Sequence, residues 1–173
     1  EAEYNYSGTS VSMNAAGDRV AIGAPENGET GNDAGHVRIY EYASGSWSQL
    51  GSDIDAEAAE DNFGRSVSIN SAGDRVAIGG YGNDGAATNA GHVRIYEYVS
   101  GSWSQLSSDI DGEAASDLSG VYVSMNSAGD RVSIGAHYND GNGSKSGHVR
   151  VYDLKPGAPI MMITATDGSN AVA

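Results

Sequence analysis

The sequence lacks cysteine and has few prolines: three of its 173 residues are Pro, and only one is Phe. Without cysteine, the chain forms no disulfide and offers no thiolate ligand to a metal ion. No apolar run approaches the roughly 18 residues that a membrane-spanning helix needs. We therefore predict no membrane insertion.

Basic residues are also scarce. Nine Lys and Arg stand against 23 Asp and Glu, which gives a net charge of −14. Binding to nucleic acid requires clustered Lys and Arg that neutralise phosphates. The charge therefore argues against a nucleic-acid partner and favours cations or basic partners.

Glycine and tyrosine are abundant, with 25 and ten residues respectively. Glycine suits tight turns, and tyrosine is favoured in strands. With 39% apolar and 18% charged residues, the composition is that of a globular protein. An all-β fold of short strands follows from this composition.

The sequence repeats every 56 residues. The stretch 63–79 has close counterparts at residues 10–23 and 123–135, in register and without insertion. A repeat unit cannot bury its apolar face alone, so the stack of units is what folds. We divide the chain into blocks 1–56, 57–112 and 113–168, followed by a tail at 169–173.

Each block predicts four strands. In the first block, apolar and polar residues alternate over 9–14, 19–23 and 36–42, and a fourth strand is expected over 47–54. Four antiparallel strands repeated at this length are typical of a β-propeller blade. We therefore predict an all-β β-propeller with three blades per chain.

The last block departs from the others in its fourth strand. Residues 157–168 replace the Gly-Ser-Trp-Ser-Gln-Leu pattern of the first two blocks. One interpretation is a divergent fourth strand, in which Pro159 is tolerated because the strand lies at a sheet edge. The alternative is that the repeats end at Leu154 and that another domain begins there.

Two short motifs resemble a known family. Phe63-Gly64, followed by Ser-Val-Ser, and Gly23-Ala24-Pro25 are similar to the two halves of the FG-GAP repeat. This repeat builds the propellers of integrin α-subunits and of many bacterial surface and secreted proteins. The resemblance covers nearly the whole chain and implies a propeller fold and an extracellular or bacterial cell-surface location.

The resemblance also raises the question of calcium, which the family binds between the first and second strands of a blade. Here that connection is only residues 14–18, with too few oxygen ligands, and it predicts a plain hairpin turn. No cofactor is predicted, and calcium is the one alternative considered. Its weaker candidate ligands are Asp53, Asp55, Asp109 and Asp111, for which a solvated acidic connection is the favoured interpretation, and Asp84 and Asp140, for which a plain turn is favoured.

Most acidic residues fall at one end of the predicted sheets, which we call the acidic loop face. It comprises the loops between second and third strands, at 24–34, 80–90 and 136–146, and the connections between blocks. The blocks diverge in these loops, which is where repeat proteins usually bind ligands. The candidate residues for a glycan or protein ligand are Tyr81, Asn83, Asp84, His137, Tyr138, Asn139 and Asp140.

No catalytic constellation is visible. His36, His92 and His148 recur at one position of the repeat, and nearly all Arg do likewise, which indicates structural roles. No nucleophile, base and orienting acid stand together. The sequence therefore favours a non-catalytic scaffold or recognition module.

Three blades do not close a ring, because propellers have about four to eight. We predict a homodimer that closes a six-bladed ring, with the first block of one chain against the third block of the other. The alternatives are a fragment of a larger FG-GAP propeller and a lectin-like propeller. A hydrolase or lyase is the third function, and an amplified or designed sequence without a ligand remains open.

Overall fold

The computed structural model describes residues 3–154 and the strand at residues 161–166. The predicted edge residue Pro159 and the predicted tail 169–173 lie outside the described residues. Where it is described, the chain consists of strands, turns and bends, and it contains no helix of the length and apolarity that crossing a membrane requires.

In residues 3–154 and 161–166, fourteen strands form three antiparallel sheets. The strands are β1 (Ser10–Met13), β2 (Arg19–Ala24), β3 (His36–Ala43), β4 (Ser46–Gln49), β5 (Ile54–Asp55), β6 (Phe63–Ile69), β7 (Arg75–Gly80), β8 (His92–Val99), β9 (Ser102–Gln105), β10 (Ile110–Asp111), β11 (Tyr122–Met125), β12 (Arg131–Ala136), β13 (His148–Asp153) and β14 (Met161–Thr166). Sheet 1 contains β1 to β5, sheet 2 contains β6 to β10, and sheet 3 contains β11 to β14. The predicted all-β class and the antiparallel pairing are confirmed.

The predicted fourth strand at 47–54 is wrong in one respect, because it is two strands. Both β4 and β5 pair with β3, and residues 50–53 bulge out between them. Gly51 lies in this bulge with a φ of +78°, a conformation that favours glycine, and a Cβ there would lie 2.8 Å from the Trp103 ring of sheet 2. Leu50 turns inward, where its N–H donates to the carbonyl of Ile39 at 2.7 Å. Sheet 2 repeats the interruption between β9 and β10.

In sheet 3, the fourth strand is β14, which lies antiparallel beside β13 with Thr166 opposite Val149. This pairing favours a divergent fourth strand over an array that ends at Leu154. Leu154 itself is buried against the core between sheets 2 and 3.

The sheets stack face to face, with one apolar core between each pair. Sheet 2 contributes one face to each core. The main residues between sheets 1 and 2 are Ala21, Val37, Ile39, Phe63, Val67, Ile69, Val76 and Ile78. Those between sheets 2 and 3 are Ala77, Val93, Ile95, Ile110, Met125, Val132, Ile134 and Leu154. Burying these faces is the main stabilisation of the stack.

The sheets approach most closely where glycine lies under a backbone carbonyl of the next sheet. A Cβ added at Gly23 would overlap the carbonyl oxygen of Gly64, and one at Gly79 would overlap that of Gly120. At the same points the hydroxyls of Ser10 and Ser66 donate hydrogen bonds of 2.7 Å to those two carbonyl oxygens. The backbone contact between sheets therefore depends on small residues.

The hairpins at the other end of the sheets are plain turns, as predicted. The Asn14 amide oxygen accepts hydrogen bonds from the N–H groups of Asp18 and Arg19, at 3.1 and 2.9 Å. Its NH₂ group donates to the Asp18 carboxylate at 2.7 Å. Asn70 and Asn126 form the same bonds in sheets 2 and 3. These polar side chains shape the turns.

Candidate functional site

The connection from sheet 1 to sheet 2 and the loop between β7 and β8 line a cleft of about 370 Å³. Of the predicted ligand-binding residues, Asn83 and Asp84 line this cleft. Tyr81 lies half-buried in a neighbouring cleft of about 240 Å³, with Tyr6 and Pro25. The predicted residues are therefore divided among separate places on the loop face.

Asn83 and Asn139 are buried and hold the loops together. The Asn83 NH₂ group donates to Asp61 at 3.1 Å, and its amide oxygen accepts from the N–H of Gly85 at 2.8 Å. Asn139 bonds to Asp117 and Gly141 in the same manner, at 2.9 and 3.0 Å. In both loops the amide groups are used for loop structure.

The neighbouring acids Asp84 and Asp140 are exposed. Asp84 accepts a hydrogen bond of 2.7 Å from the N–H of Asn89, and Asp140 accepts one of 2.5 Å from the N–H of Lys145. Each carboxylate therefore closes its own loop, as in the plain-turn alternative to a ligand site.

A cluster of aromatic rings distinguishes the loop end of sheet 3. The rings of His137 and Tyr138 lie 4.2 Å apart between centroids, and the ring of Tyr122 is 6.4 Å from His137. The Lys145 ammonium lies 4.5 Å above the ring of Tyr138. All four residues are exposed. We call Tyr122, His137 and Tyr138 the aromatic patch.

The calcium candidates Asp53 and Asp109 pair with arginines within the sheets. Arg38 donates to both oxygens of Asp53 at 2.7 to 2.9 Å. This hydrogen bonding holds the pKa of Asp53 below its usual range. Arg94 contacts Asp109 in the same manner, at 3.0 Å. The remaining candidates Asp55 and Asp111 are exposed at the ends of β5 and β10.

Sequence reasoning missed two histidine and carboxylate clusters. One joins Glu29, His36 and Asp53, and the other joins Glu57, His92 and Asp109, with the potential ligand atoms of each cluster within 4.8 Å of one another. The recurring Gly-His-Val-Arg segment indicates the histidine of each cluster, but only the fold brings the glutamates near it.

In each cluster an arginine already contacts the aspartate: Arg38 contacts Asp53, and Arg94 contacts Asp109. The Arg94 guanidinium, 7% exposed, contacts the carboxylates of both Glu57 and Asp109. His92 is fully buried, with Nδ1 at 3.5 Å from Asp109, and burial lowers the pKa of its imidazole. A divalent cation would have to displace the arginine, so the arrangement suits a structural network.

In β13, the Nε2 atom of His148 lies 3.0 Å from the Nη1 atom of Arg150. Arg150 also contacts Glu113 at 2.5 Å. Arg19 and Arg75 pair with Glu41 and Glu97 across neighbouring strands. Most of the recurring arginines thus contact carboxylates near their own strands.

The sequence matches no protein-family model and no curated protein. Its fold is similar to that of a candidate 6-phosphogluconolactonase from Bacteroides uniformis, with 9% identity and a TM-score of 0.62 over 91% of this chain and 40% of that one. Saccharomyces cerevisiae Sqt1 is similar at 12% identity and a TM-score of 0.59, over 95% and 36%. The β-propeller domain of the trilobed protease of Pyrococcus furiosus follows at 12% identity and a TM-score of 0.48, over 87% and 41%.

At such identities the first two resemblances show a shared fold alone. This chain spans about 40% of the length of the solved structures it resembles. The lactonase name belongs to the Bacteroides protein, and the non-catalytic character of this chain stays a prediction.

Proposed function

We propose that this chain is a non-catalytic scaffold and recognition module of the β-propeller type, and that a second copy completes its ring. Its three sheets are three blades in this proposal. Support comes from the stacking of sheets 1, 2 and 3 through contacts that recur at the repeat spacing, as blades stack in propellers.

The observation that carries the proposal is that residues buried between the sheets have exposed counterparts on the two outer faces of the stack. Inside the stack, Val67 and Ile69 of sheet 2 are buried against sheet 1. Their counterparts Val11 and Met13 in sheet 1 are 64% and 56% exposed. On the outer face of sheet 3, Val149 is 43% exposed where its counterpart Val93 is fully buried. Sheet 1 of a second copy, laid on sheet 3, would cover both.

The hydrogen bonds between the sheets also recur at the repeat spacing. The Ser12 hydroxyl accepts from the N–H of Ile69 at 3.0 Å, and the Ser68 hydroxyl accepts from that of Met125 at 2.9 Å. At the next interface the acceptor would be Ser124, which is exposed on sheet 3. The donor would be the N–H of Met13 in the second copy.

Arginines extend the pattern. Arg19 donates to the carbonyl of Gly73 at 3.1 Å, and Arg75 donates to that of Gly129 at 3.0 Å. Their counterpart Arg131 is exposed and faces the position that Gly17 of a second copy would take. Apolar and polar groups therefore select the same head-to-tail partner.

Sedimentation equilibrium tests the proposal. A head-to-tail interface used twice closes a ring of two copies, whereas one that does not close gives a filament. We expect a species of twice the 17.7 kDa chain mass. Val11→Asp would abolish it, whereas Val99→Asp is the matched control, since Val99 is 48% exposed near a hairpin away from both outer faces.

A wild-type chain that stays monomeric at all concentrations would overturn ring completion by a second copy. The chain would then be a fragment of a longer propeller, in which adjoining blades cover the outer faces.

The non-catalytic part of the proposal is supported by the contacts that buried and half-buried ionisable groups make with carboxylates. Arg38, Arg94 and His92 contact carboxylates of their own sheets. Hydrolysis of 6-phosphogluconolactone is the activity to assay, because the Bacteroides protein carries that name. Turnover that disappears in Asp84→Asn would overturn the proposal, and a hydrolase would replace it.

We further propose that the chain belongs with FG-GAP repeats and acts outside the cell. The Phe63-Gly64 pair has the role expected of a repeat motif, because Phe63 is fully buried and Gly64 contacts sheet 1 with a φ of +90°. Fractionation of the source cells tests the location. Recovery in the cytosol alone would contradict it.

A lectin-like function is the second candidate, and the aromatic patch favours it. Exposed rings such as Tyr138 stack on the apolar faces of sugars, and Lys145 beside it supplies a hydrogen-bond donor. Binding on a glycan array that Tyr138→Ala removes would support this function. Tyr42→Ala is the control, since Tyr42 is 48% exposed elsewhere.

A further inference from the structure

Tyr122 replaces a serine that recurs in the first two sheets, where it bonds to the backbone of the next sheet. It occupies the position of Ser10 in sheet 1 and Ser66 in sheet 2, within the first strand of each sheet. Those serines face the next sheet. Tyr122 is 66% exposed on the outer face of sheet 3.

At the internal interfaces this position leaves room only for a hydroxyl. Ser10 and Ser66 donate at 2.7 Å to the carbonyl oxygens of Gly64 and Gly120. The cross-strand partners Gly23 and Gly79 lie so close to the same carbonyls that neither tolerates a Cβ. The backbone of the next sheet therefore packs directly against the serine and glycine pair.

On sheet 3 the tyrosine lies beside the corresponding glycine. Its cross-strand partner is Gly135, and the Cβ and Cδ2 atoms of Tyr122 lie 3.5 and 3.8 Å from the point where a Gly135 Cβ would stand. The ring also contacts His137 edge-on, at 6.4 Å between centroids.

A strand arriving in the internal register would bring the Gly8 carbonyl of a second copy to this position. If Tyr122 adopted the serine rotamer, its Cγ would stand about where a serine Oγ lies, 2.7 Å from that carbonyl oxygen. Carbon and oxygen atoms in contact need about 3.3 Å or more. The ring must therefore turn away, or the strand must move out.

We propose that Tyr122 restrains the docking of a second copy on sheet 3 and so sets the strength of self-association. This inference rests on the proposed function, because it concerns the same outer face and the same partner. Removing the ring opens the contact, and a serine at position 122 restores the hydrogen bond of the internal interfaces.

Sedimentation equilibrium of Tyr122→Ser and the wild type over a wide concentration range tests the inference. We expect the dissociation constant of Tyr122→Ser to be about tenfold lower or more, since a restored hydrogen bond alone gives roughly fivefold and a closed ring contains it twice. Val99→Ser, which removes an exposed apolar side chain of sheet 2 away from both outer faces, leaves the constant unchanged.

A second variant separates sterics from hydrogen bonding. Tyr122→Ala relieves the contact without supplying a donor, so it tightens association less than Tyr122→Ser. It also keeps the test valid if Tyr122→Ser fails to fold, which thermal unfolding by circular dichroism shows directly.

The outcomes distinguish this inference from the proposed function. If the wild type associates and both Tyr122 variants associate equally or more weakly, the tyrosine anchors the interface and the inference is overturned while the proposed function stands. If the wild type and both variants are monomeric at every concentration, the proposed function fails and the inference with it.

Discussion

The Arg94 guanidinium donates two parallel hydrogen bonds to the Asp109 carboxylate, Nε to Oδ1 and Nη2 to Oδ2, both 3.0 Å long. The pair joins β8 to the segment just before β10 in sheet 2, and Arg38 and Asp53 repeat it in sheet 1. Such planar, bidentate pairs are strong and orient both partners. The acids at these positions therefore stabilise the interrupted edge of each sheet.

Calcium is expected to leave the thermal stability unchanged, because Asp53 and Asp109 already bond to arginine. Addition of millimolar calcium should shift the Tm by less than about 1 °C relative to a chelator. Differential scanning fluorimetry measures this. A rise of several degrees with calcium and none with magnesium would show a calcium site.

Asp109→Ala should destabilise the fold by about 2 kcal/mol, because it leaves the buried Arg94 with only the exposed Glu57 as a carboxylate partner. Urea unfolding measures the change in the free energy of unfolding. Asp111→Ala is the control, since Asp111 is exposed two residues away. Equal losses in the two variants would contradict the role of the pair.

Gly79→Ala should cost about 2 to 3 kcal/mol, because its Cβ would overlap the carbonyl of Gly120 and push sheets 2 and 3 apart. Gly135→Ala is the matched control on the uncovered face, where the nearest heavy atom to the new Cβ is 3.5 Å away. We expect it to be neutral or slightly stabilising, since alanine lowers the entropy of the unfolded chain. Urea unfolding of dilute protein compares the two.

Stability should fall as the pH drops below 6.5, the ordinary pKa of histidine, in part because of His92. Burial lowers the pKa of His92 in the folded protein, so below pH 6.5 the unfolded chain binds a proton that the folded chain resists. Above pH 6.5 the contribution of His92 to stability is present. Unfolding free energies measured between about pH 8 and about pH 5 should show a shallower slope for His92→Gln.

Val99→Gln is the control for this slope, because it changes an exposed residue and removes no ionisable group. It should keep the pH dependence of the wild type. An unchanged slope in His92→Gln would show that other groups carry the acid sensitivity.

Much of the fold could be predicted from local patterns. The alternation around Val67 and Ile69 gave a strand, and the Asn14 to Asp18 segment gave a turn that the structure contains. The interruption at Gly51 could not be predicted, because it depends on Leu50 and Asp53 both turning inward to partners on β3.

The candidate site was harder to predict than the fold. Asn83 was selected because it lies in a divergent loop, yet it is buried against Asp61 from the connection between sheets. Glu57 reaches Arg94 only because the connection between sheets 1 and 2 lies beside β8. Neither contact has a local signal, since the partners are distant in sequence.

Val11 and Val67 show which features the sequence determines and which depend on the tertiary structure. Both stand in the same Ser-Val-Ser segment, and this local alternation determined that each would lie in a strand with its side chain on one face. Val67 is 8% exposed and Val11 is 64% exposed. Only the tertiary structure decided this difference, because burial requires a neighbouring sheet, and the chain places one in front of Val67 and none of its described residues in front of Val11.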